Sequence, residues 1–240
     1  YVVPGAMAVA QMLLAYEVNP SFMEQYTNAA AHKPELPDYF NELKYELDWM
    51  MTMQREDGAL YHKVSCYNFC GFILPDQEKE EIVISPVSAT ATGDFAAATA
   101  MAVRFYQKYD AEYADRLAAA SRRAYEALQN MNIPGGFKNP EEIVTGEYGD
   151  PCDEDERYWA AAELYKTFGD EKYRRDFEER AAGKIYHGYG WGAMGSYGNL
   201  AYITTSNPVS EELKEKIKAS MIDLGRHKLE IEEVDGYGTA

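Results

Sequence analysis

The sequence has no run of about eighteen apolar residues, the length that a helix needs to cross a bilayer. It is also poor in basic side chains: 23 Lys and Arg stand against 40 Asp and Glu, giving a net charge of -17. Such a surface repels phosphate backbones, so we expect neither membrane insertion nor nucleic-acid binding. Neutral sugars and divalent cations remain compatible ligands, although the acidity also serves solubility by itself.

Cysteine is scarce as well, with three residues in 240. Cys66 and Cys70 are close in sequence and Cys152 stands alone, so the chain contains neither a disulfide framework nor the paired CxxC motifs of a zinc site. The chain begins at Tyr1 with an apolar helical pattern and no signal segment, so we expect its N-terminus to be processed or cut inside a folded module.

The chain is rich in helical patterns separated by loops of uneven length. Apolar residues recur at spacings of three and four, and Ala-rich faces allow close helix packing. Asp38 and Ser210 are candidate N-caps. Helices are predicted over 5–17, 38–54, 93–109, 111–130, 153–168, 171–183, 195–205 and 210–224, with no convincing strand alternation.

A long stretch without helical periodicity covers 57–92. Connections of this length are usually functional or disordered, and the many aromatic residues of this one argue against disorder. Further loops cover 133–152 and the glycine-rich 186–198. With about eight helices, the pattern predicts an all-α fold of helical hairpins whose functional loops share one face.

Three long stretches resemble glycoside hydrolase family 9. They are YVVPGAMAVAQMLLAYE at 1–17, LYHKVSCYNFCGFILPDQE with SPVSATATGDFAAATAMAVRFY in 60–106, and TGEYGDPCDEDERYWAAAELYKTFGD at 145–170. The resemblance implies an (α/α)6 barrel, or α/α toroid, of which this chain supplies an incomplete part. It further implies one partial catalytic domain over 1–240, truncated at both ends.

The family hydrolyses internal β-1,4-glucosidic bonds with inversion, as endo-β-1,4-glucanases of cellulose and related β-glucans do. Inversion needs a base and an acid far enough apart to admit a water. The resemblance places the base in a D-A-G-D-Y-G motif before Tyr1 and the acid beyond Ala240, so we expect no catalytic residue here and an inactive chain.

The same resemblance indicates where sugar is bound. Tyr1 abuts the absent catalytic motif, and Tyr61, His62 and Phe69 lie on a loop that borders the family's cleft. Tyr148 and Trp191 lie in later loops where aromatic rings can stack on pyranose rings. The alternative for Tyr1 is a frayed terminus, for His62 a solvated surface position, and for the other aromatic residues a packing role. Trp159, inside a helical pattern, is predicted to be core.

Four acids crowd a loop-to-helix junction: Asp150, Asp153, Asp155 and Glu156. Calcium prefers several hard oxygen ligands, and the family binds structural calcium near a D-E pair that Asp155 and Glu156 match. The alternative is a set of acids that complements the helix dipole. This chain departs from the family near Trp191, where a more distant acidic ligand is expected and none is present.

The expected partners are β-glucan polysaccharide or cello-oligosaccharides, and secretion follows from a polymeric substrate. A barrel fragment with uncovered apolar faces is also expected to self-associate. Two other functions stay open: a non-catalytic carbohydrate-binding helical domain, and another α/α barrel such as a sugar epimerase or an unsaturated-glycoside hydrolase, which lack the TGEYGD…DERYWAAAELY pattern.

Overall fold

A computed structural model describes residues 1–21, 38–133 and 136–237. Eight α-helices lie in full within these ranges, together with a short antiparallel hairpin and a 3₁₀ turn at Pro75–Gln77. The helices are α1 Val2–Val18, α2 Asp38–Thr52, α3 Ala89–Tyr106, α4 Ala111–Gln129, α5 Glu154–Phe168, α6 Glu171–Gly183, α7 Gly195–Thr204 and α8 Glu211–Val234, and the strands are β1 Val64–Cys66 and β2 Ile82–Ile84.

The helices form four inner–outer pairs. The inner row runs α1, α3, α5, α7, with each helix packed against the next, and α2, α4, α6 and α8 lie outside as the partners of these four. The composition explains the arrangement, because α3 and α5 are buried around most of their circumference and carry small residues where helices touch. The structure therefore confirms helical hairpins packed side by side.

Local signals set the helix ends. The hydroxyl of Ser88 accepts a hydrogen bond from Ala91 N at the start of α3, and Ser210 does the same for Leu213 N at the start of α8. Gly169 ends α5 with φ 74°, the left-handed conformation that glycine adopts without a Cβ penalty. The capping role predicted for Ser210 is confirmed.

A charged network ties the inner row together near the C-terminal ends of the helices. Arg104 of α3 donates to Glu163 of α5 at 2.7 Å and lies 3.6 Å from Glu17 of α1. Lys166 of α5 also donates to Glu17 and to Thr204 of α7. Because the Glu163 side chain is almost fully buried, its charge depends on this network.

The structure differs from the sequence-based prediction in detail. The hairpin of β1 and β2 pairs Val64 with Ile84 and Cys66 with Ile82, although no strand was predicted, because three-residue strands are too short to show alternation. Helix α3 begins at Ala89 rather than residue 93, since its cap lies four residues earlier than expected. Helix α8 continues to Val234, ten residues beyond its predicted end. Residues 134 and 135 of the second predicted loop lie outside the described ranges.

None of the helices described is both long enough and apolar enough to span a bilayer. Trp159 is fully buried, as predicted, and packs at 5.2 Å between ring centroids against Tyr197 of α7. The long stretch predicted to be ordered but non-helical joins α2 to α3. It contains the hairpin, and several of its apolar side chains are exposed.

Candidate carbohydrate-binding site

The loops that precede the inner helices meet at one end of the molecule. Val2 N, at the start of α1, donates to the carbonyl of His62 at 3.1 Å. Asp155 in the first turn of α5 accepts from Met194 N, just before α7, at 2.6 Å. Because these contacts join the N-terminal ends of neighbouring inner helices, the site is built on a rigid frame from loops far apart in sequence.

Three aromatic side chains form a row at this end. The ring of Tyr148 lies 4.7 Å from that of Tyr1 and 5.2 Å from that of Trp191, centroid to centroid. Tyr148 is 40% exposed and Trp191 37% exposed, so both present ring surface to solvent. Exposed aromatic rings suit the apolar faces of pyranose rings. This aromatic row (Tyr1, Tyr148, Trp191) unites three of the six residues predicted to bind sugar.

His62, a fourth predicted residue, is buried behind the row. Its Nε2 lies 3.0 Å from the carbonyl of Glu147, and its Nδ1 lies 2.8 Å from the hydroxyl of Ser88. A carbonyl can only accept, so Nε2 carries the proton and Nδ1 accepts from the serine. Burial lowers the pKa of His62 to about 4, and the Lys63 ammonium also lowers it. Both ring nitrogens therefore bind protein groups, and the ring stacks on Phe137 at 3.8 Å.

Tyr61 and Phe69 lie apart from the row. Tyr61 is half-buried and lines a shallow depression with residues 54–57. Phe69 is 70% exposed on the excursion between β1 and β2. That excursion still adjoins the row, because Val144 N donates to Tyr67 O at 2.8 Å and Thr145 Oγ1 donates to Ser65 Oγ at 2.9 Å. The structure thus leaves Tyr61 and Phe69 outside the row.

A second feature lies beneath the row: a buried acidic cluster formed by Asp94, Asp150, Asp155 and Glu156. Asp94 and Glu156 are fully buried, and no oxygen of either carboxyl group has a hydrogen-bond partner. Burial raises the pKa of both well above the usual range, and the neighbouring carboxylates raise it further. Burial also raises the pKa of Asp150, whose Oδ2 has no partner either.

The predicted metal ligands only partly coincide with this cluster. Asp153 faces Arg157, which donates to its carboxylate at 2.8 Å, so its charge is already balanced. Asp155 is held by Met194 N, and Asp150 Oδ1 accepts from Cys152 N at 3.0 Å. Across the described ranges, no three His, Cys, Asp or Glu side chains form a ready-made metal centre. What remains is a set of carboxyl oxygens without hydrogen-bond partners.

Sequence reasoning missed two residues of this region. Asp94 joins the cluster from α3, and its signal was a lone acid within an otherwise small and apolar helical run, GDFAAATAMA. A Cβ on the adjacent Gly93 would lie 2.8 Å from the Cβ of Glu156, so glycine allows the close approach of α3 to α5. Lys63 is the other residue, and no sequence pattern marks it as buried.

The fold is a row of helical hairpins with exposed aromatic rings at its loop end, and comparison with known proteins specifies the family. The model of glycosyl hydrolase family 9 matches residues 1–231. Endoglucanase D of Acetivibrio thermocellus is 40% identical over 99% of this chain, and a xyloglucan-specific endo-beta-1,4-glucanase of Bacteroides ovatus is 34% identical over 88%. The chain belongs to glycosyl hydrolase family 9.

Solved structures agree with this assignment. A thermostable endoglucanase (D468A) from Alicyclobacillus acidocaldarius superimposes with a TM-score of 0.92 at 33% identity, covering 99% of this chain. AaCel9A in complex with a cellobiose-like isofagomine gives 0.91 at 32% identity. The prediction of an incomplete (α/α)6 barrel is confirmed. The chain spans 39% of endoglucanase D, 38% of the Bacteroides enzyme and 46% of the Alicyclobacillus chain.

Proposed function

We propose that this chain forms one wall of the sugar cleft of an endo-β-1,4-glucanase. The enzyme would hydrolyse internal bonds of cellulose or related β-glucans with inversion. The observation that carries the proposal is the aromatic row, which presents exposed rings on the loop face of a family 9 fold. The rings meet at interplanar angles of 53° and 64°, so they offer separate apolar faces on which sugars of a glucan chain can stack.

The proposal assigns no catalytic carboxylate to these residues. An inverting pair flanks the scissile bond with about 6.5–9.5 Å between carboxyl groups, and each must reach the substrate or its water. Asp94 and Glu156 are fully buried, and the Glu147 carboxylate is occupied by Asn139 N and Lys138. We therefore keep the base before Tyr1 and the acid after Ala240, as the resemblance implies.

The test measures hydrolysis of a soluble β-1,4-glucan and binding of cellotetraose in the same samples, with binding followed by tryptophan fluorescence. We expect binding without turnover by residues 1–240. The variant Trp191→Ala should lose the fluorescence response, and Trp49→Phe is the matched control because Trp49 lies on the outer helix α2. Turnover would show that carboxylates within the chain are catalytic, whereas failure to bind would refute the proposed cleft wall.

A non-catalytic carbohydrate-binding domain is the second candidate, and the same observation supports it, because the row needs no carboxylate to bind sugar. The two functions differ once the flanking protein is included. Glucan hydrolysis by the complete natural protein that contains this chain would favour the enzyme. Oligosaccharide binding without hydrolysis by that same protein would favour the binding domain.

We also propose that the acidic cluster binds a structural calcium ion. Asp94, Asp150 and Glu156 supply five buried oxygens without a hydrogen-bond partner, and calcium prefers hard oxygen donors. An ion there would supply positive charge that offsets the repulsion between these carboxyl groups. Protonation of Asp94 and Glu156 is the alternative way to relieve it.

Calcium addition to chelator-treated protein should raise its Tm, because a ligand that binds only the folded state stabilises it by mass action. The variant Asp94→Asn should weaken this response. Asp57→Asn is the matched control, since Asp57 is an exposed partner of Arg55. A Tm that changes with neither calcium nor chelator would refute the calcium site and favour protonation of Asp94 and Glu156.

Two further proposals concern location and assembly. We propose secretion, because a polymeric glucan does not enter cells, and detection of the protein only inside cells would contradict it.

We propose self-association of residues 1–240, because α8 exposes Ile222, Leu229 and Val234. A compact monomer by light scattering would contradict the second proposal.

A further inference from the structure

Tyr148, the central residue of the aromatic row, has a strained backbone. Its φ of 50° is the only positive φ among the non-glycine residues that the structure describes. A residue with a Cβ is strained in this region, and such strain persists only where the surroundings impose it. Positions of this kind often lie at ligand-binding sites, so the groups that impose the strain are of interest.

The three carbonyls that precede Tyr148 are all held by side chains. Lys63 Nζ donates to the carbonyls of Thr145 at 3.3 Å and Gly146 at 2.6 Å. His62 Nε2 donates to the carbonyl of Glu147 at 3.0 Å. These donors come from a segment more than 80 residues away in sequence. The loop 145–148 is thus fixed to the frame of the barrel through two consecutive side chains.

Lys63 is the unusual member of this pair. Its side chain is fully buried, and its ammonium donates to one loop only, including Thr145 Oγ1 at 3.2 Å. No ion pair of Lys63 occurs within the described residues, and burial lowers its pKa. The ammonium also lies 5.3 Å from the centroid of the Tyr1 ring. Only the more distant Glu147 carboxylate offsets this buried charge, so the ammonium adds little to stability and its contacts point to another role.

We infer that Lys63 is a positioning residue for substrate: it holds the loop 145–148 in the strained conformation that sets the Tyr148 ring between Tyr1 and Trp191. The inference rests on the proposed function, since it explains how the Tyr148 ring is held in the row that would bind a glucan chain. Lys63 itself does not touch sugar, because its ammonium is enclosed by the loop that it holds.

A double-mutant cycle tests this role, with cellotetraose as the probe and Trp191 fluorescence as the signal. Lys63→Met and Tyr148→Ala should each weaken binding by about tenfold, roughly one aromatic contact. Combined, they should weaken it no more than Tyr148→Ala does, because Lys63 acts through Tyr148. Lys44→Met is the matched control: Lys44 also lies over a tyrosine ring, that of Tyr113, but on the outer helix α2.

Circular dichroism and thermal melting establish that each variant is folded at the assay temperature. If Lys63→Met does not fold, Thr145→Val removes one acceptor of the ammonium and takes its place in the cycle. Full additivity in the cycle, or unchanged binding by a folded Lys63→Met, would overturn the inference while leaving the cleft intact. Cellotetraose binding that is unchanged by Tyr148→Ala would instead overturn the proposed function, and the inference with it.

Discussion

Acidification should destabilise the protein through His62. The ring is buried, and burial lowers its pKa to about 4, from an ordinary value of 6.5. Between these two pH values the unfolded chain binds a proton at this site and the folded chain does not. Stability therefore rises with pH across this window and is lost as pH falls from 6.5 towards 4.

The size of the effect follows from the two pKa values. A shift of one pKa unit corresponds to about 1.4 kcal/mol, so the complete loss below pH 4 is about 3 kcal/mol. At pH 5 the unfolded histidine is almost fully protonated and the folded one is mostly neutral. Linkage then gives a loss of about 2 kcal/mol relative to pH 7, a large fraction of the stability of an ordinary domain.

The assay is urea unfolding followed by circular dichroism at pH 7, 6 and 5, for the wild type and His62→Gln. Glutamine does not titrate, so the difference in unfolding free energy between the two proteins should shrink by about 2 kcal/mol from pH 7 to pH 5. The acidic cluster contributes the opposite slope, because burial raises its pKa values, but it is common to both proteins. His227→Gln, which removes an exposed histidine of α8, is the matched control.

A difference that stays constant from pH 7 to pH 5 would refute this reasoning. It would mean that His62 is hydrated or protonated in the folded state, and that its contacts with Ser88 and Glu147 do not require the neutral ring. If the ring is protonated, Nδ1 donates to the Ser88 hydroxyl rather than accepting from it, because both ring nitrogens are donors in the charged form.

Two further substitutions test the packing of the inner row. Gly198→Ala should destabilise the protein by about 1–3 kcal/mol, since a Cβ there would lie 2.8 Å from the Tyr158 ring, and thermal melting measures the loss. Arg104→Met should cost about 3 kcal/mol in urea unfolding, because it leaves the buried Glu163 charge without its arginine.

Each of these two substitutions has a control at an exposed site. Gly183→Ala at the end of α6 meets open space and should change stability by less than about 1 kcal/mol. Lys218→Met breaks an exposed pair with Glu215 and should cost less than about 1 kcal/mol. Equal effects of test and control variants would contradict the burial on which both predictions depend.

The helices were accessible from sequence because their signals are local. A serine at the N-cap, a glycine after the last turn and apolar residues three and four apart lie within a few residues of one another. The main errors occurred where such signals were short or displaced. Strands β1 and β2 are three residues long, and α3 starts at a cap four residues before the predicted start.

The candidate site was only partly accessible, because its members are distant in sequence. Tyr1, Tyr148 and Trp191 were predicted one by one from the family resemblance, but their contact is a property of three loops on one frame. His62 was expected to face sugar or solvent, and the structure shows both ring nitrogens bound to protein groups. Residue type alone does not reveal which side of a loop is buried.

The sequence by itself determined the helical class, the helix ends set by caps and, through three long motifs, the family. Tertiary structure alone decided that Asp94 joins Asp150 and Glu156 in one buried cluster, and that Lys63 holds the loop of Tyr148. The physical reason is the same in both cases. Burial, unpartnered charge and backbone strain arise from contacts between segments some 55 to 85 residues apart, whereas caps and periodicity act within a few turns of one helix.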